Sequence, residues 1–385
     1  MDNFINASES TETDGGKTDS EYNIRINTKI EKLEKTVSYK HYSVLPIVVI
    51  FMYAFFSTST TMILFGPFSI GMTLFPNKSS ANTYGRSSSL CTVNTSSEEF
   101  KDSIIVNEYA SVLNIYFTLA SGLPSIISNV LFGAFSDYFG RKFLFIIPII
   151  GSLVKNIACI VGIYYKMNYL VLIAGFLVEG ITGVFFSMLL GGFAVVADIT
   201  ESDQRRSLGI ALLTLGIGVS TVVGSAGTGY FISATNSFIW PLVLSCGLLV
   251  LCLFIAICIL PETYIVEGDK EKNCRVVTTY IKEVFGFYYK KSSNRGMYNL
   301  CIWAFIFTNC EWKNNCRDVV STESPILLEH YRGALLGSVA AIETACYMGG
   351  TVLTNAVYAK TESIMGGFVF FVMGGCSFLS MVLLL

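Results

Sequence analysis

Three charged side chains lie inside long apolar segments of the sequence: Lys155, Glu179 and Glu343. A charge at the centre of a bilayer costs roughly 2.5–3.5 kcal/mol, so such residues are usually paired or face a water-filled cavity. Counted along their helices, Lys155 and Glu179 fall at nearly the same depth. They could form an ion pair that breaks and re-forms as the protein changes conformation, or a fixed structural ion pair, and the sequence leaves both open.

Glu343 has no opposite charge in its own apolar segment. It is therefore a candidate for proton coupling or substrate contact, although it could also bind a neighbouring helix or pair with Lys313. Glu311 and Arg317 belong to a polar stretch that either faces an inner cavity or lies in a solvated loop. The planar guanidinium of Arg317 would suit an anionic solute.

The residue patterns of enzymes, metal sites and nucleic-acid-binding proteins are missing from the sequence. The chain has two histidines, no C-x-x-C pair and no G-x-x-x-x-G-K-[ST] loop, and no nucleophile and base stand at a recognisable spacing. Its formal net charge of −2 gives no basic field for DNA or RNA. We therefore predict no enzyme activity, no metal, no cofactor and no nucleic-acid partner.

The elements that must position these charges are membrane-spanning helices. Of the 385 residues, 52% are hydrophobic and only 14% are charged. Charges are missing altogether from residues 42–77, 109–136 and 207–261. With runs that contain one charge, the sequence predicts an all-α polytopic membrane protein with nine spans, near 44–65, 112–135, 143–164, 169–192, 208–231, 239–260, 297–318, 334–358 and 364–385.

The orientation follows from the loops. Lys and Arg are more frequent in the N-terminal tail and the loops on its side than in the opposite loops, which predicts a cytoplasmic N-terminus. The loop after the first span would then be lumenal, where Asn77 and Asn94 are glycosylation acceptors. Cys91 of this loop could pair with Cys310 or Cys316, or remain a free thiol.

The spans group into two sets around a polar segment. We predict a cytoplasmic tail at 1–43, a six-helix bundle at 44–260, a cytoplasmic linker with an amphipathic helix at 261–296, and three helices of a partial second bundle at 297–385. Six spans, a long cytoplasmic loop and further spans resemble the layout of the major facilitator superfamily.

A motif between the second and third spans strengthens this resemblance. The segment 133–142, GAFSDYFGRK, resembles the superfamily signature G-x-x-x-D-R/K-x-G-R-R/K. The matching positions are Gly133, Asp137, Gly140, Arg141 and Lys142. The resemblance implies that they form a latch at the cytoplasmic gate, in which two glycines permit close packing and a tight turn. A tyrosine replaces the usual basic residue at position 138, which puts one charge contact of the family in doubt.

Three further segments, 193–199, 211–218 and 260–263, are similar to solute carrier family 46, the family of the proton-coupled folate transporter. On that family's pattern, the acidic positions of spans 4 and 5 fall at Val184 and Thr214, and the histidine of span 8 falls at Thr344. Folate transport through the same proton site is therefore doubtful, whereas the fold is unaffected.

The resemblance implies a secondary transporter that moves a small organic solute by alternating access, with or without proton coupling. Arg317 makes an anionic solute the favoured class. The alternative is a receptor or scaffold that keeps the fold without flux. The home membrane would be the plasma membrane or the lysosomal membrane. Because nine spans are fewer than the family's twelve, we expect the second half to be truncated at its C-terminus.

Overall fold

The computed structural model describes residues 43–76, 98–199, 203–261, 332–362 and 367–384. Within these ranges the secondary-structure elements are all α-helices, as the sequence predicts. They are α1 Val44–Leu74, α2 Glu98–Phe139, α3 Phe143–Tyr164, α4 Tyr169–Ile181, α5 Val184–Ile199, α6 Asp203–Thr235, α7 Ile239–Cys258, α8 Arg332–Thr361 and α9 Phe368–Leu384.

Six segments of the described chain are long and apolar enough to cross a membrane. They are Val44–Leu74, Phe100–Gly133, Phe143–Tyr164, Tyr169–Ile199, Arg205–Thr235 and Ile239–Cys258. These are the six spans predicted for the first bundle. The helices α8 and α9 lie where the eighth and ninth spans are predicted. They are not among these six segments.

Several predictions fall outside the described residues. They concern the N-terminal tail, nearly all of the linker, the seventh span, and the residues Asn77, Asn94, Cys91, Glu311 and Arg317.

The fourth span is not the continuous helix predicted at 169–192, because it is broken between α4 and α5. Gly183 has φ of +89°, and Val184, a β-branched residue, has φ of +53°, which is rare for that residue type. The break exposes carbonyl groups that a membrane cannot hydrate. Side chains satisfy two of them, since the Thr182 hydroxyl donates to the Glu179 carbonyl at 2.8 Å and the Ser128 hydroxyl donates to the Ile181 carbonyl at 2.8 Å.

Two apolar clusters hold the first bundle together, and a polar layer separates them. One cluster is built around Phe51 and Phe145, and the other around Met62 and Phe117. Burial of such side chains contributes about 1.5–3 kcal/mol each in water, and in a membrane close packing takes over this role. The intervening layer contains the buried polar residues Ser57, Thr58, Ser152, Lys155, Asn156, Glu179 and Thr228.

Hydroxyl groups link the helices of this polar layer. Thr58 of α1 donates to the Asn156 amide oxygen of α3 at 2.9 Å, and Thr228 of α6 donates to the Ser57 hydroxyl of α1 at 2.7 Å. These bonds satisfy polar groups that would otherwise be buried without partners.

The helices α2 and α8 pack antiparallel along most of their length. The Asn107 amide donates to Glu362 Oε1 at 2.7 Å near one end of the pair. In the middle, the Asn129 amide donates to the Thr344 hydroxyl at 2.9 Å. Near the other end the backbones touch, because a Cβ on Gly337 would lie 2.6 Å from the Cα of Gly133. This pairing joins the first bundle to the later part of the chain.

Candidate functional site

A cavity of about 200 Å³ lies among α1, α2, α4, α5 and α8. Aromatic side chains form a large part of its wall: Phe55, Phe117, Phe176, Phe186 and Tyr347. The neutral polar residues that line it come mainly from α2 and α8: Ser59, Asn114, Thr118, Ser121, Thr344, Thr351 and Asn355. A mostly apolar wall with a few polar groups is typical of a site for a small organic molecule.

The polar residues of α2 lie on one face of that helix. Asn114, Thr118 and Ser121 are spaced by four and three residues, which places them one above the other on an α-helix. Thr351 and Asn355 have the same spacing on α8. The antiparallel packing of α2 and α8 therefore brings two polar stripes to the same side of the cavity.

The charged residues predicted in spans 3 and 4 are in contact in the structure. Lys155 Nζ lies 2.5 Å from Glu179 Oε1, and the two side chains are 1% and 2% exposed. The Ser152 hydroxyl donates to the same oxygen at 2.9 Å. Glu179 lines the cavity, whereas Lys155 stands behind it. The pair is therefore part of the cavity wall.

Aromatic rings enclose the ammonium group of Lys155. Its Nζ lies 5.0 Å from the ring centroid of Phe55 and 5.3 Å from that of Phe176, within the range of cation–π attraction. A glycine allows the close approach of α3 and α4 at this point, since a Cβ on Gly175 would lie 3.0 Å from Ala158 Cβ. Sequence reasoning missed Ser152, although its position one turn before Lys155 could have identified it.

The structure separates Glu343 from the cavity and brings its neighbour into it. Glu343 is half-buried on α8 and is not one of the residues that line the cavity, whereas Thr344 lines it. Of the other positions compared with the folate carrier, Val184 lines the cavity and Thr214 is exposed on α6. The role assigned to Glu343 therefore stays a prediction.

The residues of the gating motif lie where α2 ends and α3 begins. Gly140 has φ of +95°, a conformation that glycine adopts readily, and this allows the tight turn between the helices. Arg141 is 2% exposed, and its Nε lies 3.3 Å from Asp198 Oδ2. Its Nη1 donates to the Ser136 hydroxyl at 2.6 Å. Asp198 belongs to α5, so the motif fastens the far end of the broken fourth span.

The other motif residues contact different helices. The Lys142 ammonium donates to the Ile257 carbonyl of α7 at 2.7 Å, and Gly133 touches Gly337 of α8. Asp137 lies in the last turns of α2. The motif thus joins α2 and α3 to α5, α7 and α8.

We expect an Arg141→Lys substitution to lower the thermal stability of the protein. A lysine keeps the charge but cannot bind Asp198 and Ser136 through a planar fork, and a hydrogen bond to a charged group is worth about 1.5–3 kcal/mol. The melting temperature in detergent measures the loss. A Lys101→Arg substitution at an exposed position of α2 is the control. Equal melting temperatures for Arg141→Lys and the wild type would contradict the prediction.

Comparisons with known proteins fit this architecture. Residues 97–385 match the family model of the Major Facilitator Superfamily. A chicken lysosomal proton-coupled steroid conjugate and bile acid symporter is 26% identical over 223 residues, which are 57% of this chain and 48% of the relative. The bovine proton-coupled folate transporter is 31% identical over 156 residues, 40% of this chain and 33% of the relative.

A solved structure has the same fold. The human organic anion transporter TETRAN superposes with a TM-score of 0.50 at 13% identity, covering 90% of this chain and 99% of its own. The chain spans about half the length of the curated symporters that it matches, or less. These relatives are transporters, and those matched by sequence are members of solute carrier family 46, so the predicted resemblance is confirmed. The chain belongs to the Major Facilitator Superfamily.

Proposed function

We propose that the protein is a secondary transporter that moves a small organic anion together with protons by alternating access. The observation that carries this proposal is the cavity between the first bundle and α8, with a buried ion pair in its wall. A buried charge pair is costly to maintain for stability alone, which favours a functional role. The relatives, which include a proton-coupled bile acid symporter and a proton-coupled folate transporter, support the same class of activity.

The motif Gly133, Asp137, Gly140, Arg141 and Lys142 would latch the gate on the cytoplasmic side. The Arg141–Asp198 pair supports this role because it connects the motif to α5, whose first residues line the cavity. We also propose that the N-terminus is cytoplasmic and that the protein resides in the plasma or lysosomal membrane. The first six spans and the later spans would form two bundles joined by the linker. Glu311 and Arg317 remain candidates for the solute site.

Uptake into proteoliposomes tests the proposed function. The purified full chain is reconstituted, an inward proton gradient is imposed, and uptake of labelled taurocholate and folate is compared with that of empty liposomes. We expect uptake of at least one of these anions that a protonophore abolishes. Binding without uptake would favour the receptor alternative, and neither binding nor uptake of any organic anion tested would overturn the proposal.

A matched pair of variants locates the pathway. Thr118→Trp fills the cavity, whereas Thr73→Trp adds the same side chain at an exposed position near the end of α1. Uptake should fall to the level of empty liposomes in the first variant and stay unchanged in the second. Equal uptake by both would place the pathway elsewhere.

Glu343 is a second candidate for proton coupling, and we expect its replacement to have a small effect. Because its side chain does not line the cavity, Glu343→Gln should change the proton-driven uptake rate by about fivefold or less, the low end of coupling between sites. Initial uptake rates as a function of external pH provide the measurement. Complete loss of proton dependence in this variant, with normal expression, would identify Glu343 as the principal coupling residue and contradict this expectation.

A further inference from the structure

We propose that the cavity binds a ring-bearing monoanion together with one proton, the charge of Lys155 behind the wall balancing the anion while the proton resides on Glu179. The inference rests on the proposed function of this cavity and deepens it, because it assigns the coupling to one pair of residues and names the chemical class of the solute.

The net charge of the cavity wall determines whether an anion can bind there. Among the described residues that line it, Glu179 is the only one with a charged side chain. Its charge is neutralised by Lys155 directly behind it. The wall is therefore neutral as a whole, and an anion that entered beside the intact pair would be buried without a counter-charge.

A proton that binds without an anion leaves the cavity wall with an excess positive charge. A proton from the solvent that binds Glu179 removes the counter-charge of Lys155 and leaves a buried ammonium group unpaired. The rings of Phe55 and Phe176 can hold this ammonium in its charged form, although they cannot neutralise it. Only the proton and the anion together restore neutrality. Each ligand therefore strengthens the binding of the other by the same factor.

The other titratable groups that face Glu179 do not change this balance. They are Cys159 of α3 and Tyr347 of α8. Thiol and phenol groups carry no charge near neutral pH under ordinary conditions. The Ser152 hydroxyl can bond to Glu179 whether or not the carboxyl group is protonated. The net charge of the wall thus depends on Glu179 and Lys155.

The aromatic residues around the cavity indicate the shape of the solute. Phe117 and Phe176 stack with 4.6 Å between their ring centroids, and Phe185 and Phe186 lie 4.0 Å apart. The ring of Phe176 also borders the ammonium of Lys155. The cavity of about 200 Å³ accommodates a ring of the solute together with its acidic group. The wall thus offers an apolar surface for a ring immediately beside the site of the negative charge.

Calorimetric titration of the full chain in detergent tests the inference. The probe is benzenesulfonate, which stays anionic at any working pH, so that a pH dependence of binding must come from the protein. Benzenesulfonamide is its neutral counterpart of nearly the same shape. For the wild type, we expect sulfonate affinity to rise as the pH falls, by up to about tenfold for each pH unit, with about one proton taken up per anion. The sulfonamide should bind without proton uptake.

Variants assign the effect to the pair. In Glu179→Gln the pH dependence should vanish and the sulfonate should bind at every pH as tightly as it binds the acidified wild type, because the amide resembles the protonated acid. Lys155→Met should prefer the sulfonamide. Glu108→Gln, the same substitution at an exposed position of α2, should behave as the wild type.

Proton uptake on sulfonate binding is measured with the wild-type protein. The inference can therefore be tested even if Glu179→Gln does not fold. Sulfonate binding without proton uptake, equal affinity for the two probes, no binding of the sulfonate, or an unchanged pH dependence in folded Glu179→Gln would each overturn the inference. Proton-driven uptake of taurocholate or folate would in those cases leave the proposed function standing.

Discussion

Replacing Lys155 by methionine should lower the free energy of unfolding by about 3–5 kcal/mol, the usual cost of removing one partner of a buried ion pair. Lys155 and Glu179 are almost completely buried, so the remaining carboxylate would lose its counter-charge while having little contact with water. The Ser152 hydroxyl bond to Glu179 is too weak to compensate for this loss. Denaturation of the purified protein in detergent, followed by circular dichroism, provides the measurement.

A double substitution separates the stability of the pair from its function. Lys155→Met with Glu179→Leu removes both charges and keeps the layer filled, so stability should return to within about 1–2 kcal/mol of the wild type. Proton-driven uptake should nevertheless be lost, because the variant has no proton acceptor at this place. If the double variant transports normally, the pair is a fixed structural ion pair and has no coupling role.

A methyl group at Gly180 should destabilise the protein by about 3 kcal/mol, the upper end of the usual range for overpacking. Gly180 lies one residue after Glu179, where α4 crosses α2. The added Cβ of Gly180→Ala would overlap the Ser121 carbonyl oxygen and lie 2.9 Å from the Ser121 Cα. Both atoms are backbone, so the helices must separate. That separation would also disturb the cavity, which Ser121 and Glu179 line.

The chain offers a matched control in α6. Among the described residues, a Cβ on Gly227 would meet nothing within 4 Å, so Gly227→Ala should be neutral or should stabilise the helix by about 0.5–1 kcal/mol. Melting temperatures of the two variants, measured in the same detergent, give the comparison. If Gly180→Ala melts no lower than Gly227→Ala, then α2 and α4 do not pack as closely as described.

The glycines of α6 illustrate how far sequence reasoning extends. Small residues in span 5 predict close helix contacts, and Gly209, Gly216 and Gly224 do pack tightly. Gly218 and Gly227 have no neighbour within 4 Å among the described residues. The two groups cannot be told apart from the sequence, since glycine favours close packing only where a second helix arrives.

At the candidate site, too, the sequence predicted some contacts and could not predict others. The depth of two intramembrane charges was enough to predict that Lys155 and Glu179 could meet, because helix rise is nearly constant. Glu343 is also a candidate by sequence, yet its neighbour Thr344 lines the cavity. One residue turns a side chain by about 100° around a helix, so the face of α8 that meets α2 depends on packing that the sequence of α8 does not contain.

The sequence by itself determined that the chain crosses a membrane as apolar helices and that a family motif joins the second helix to the third. It could do so because charge is excluded from the lipid interior residue by residue. Tertiary structure alone decided the break at Gly183, the aromatic enclosure of Lys155 and the pairing of α2 with α8. These features depend on contacts between residues far apart in the chain, and no local pattern of residues specifies which surfaces meet.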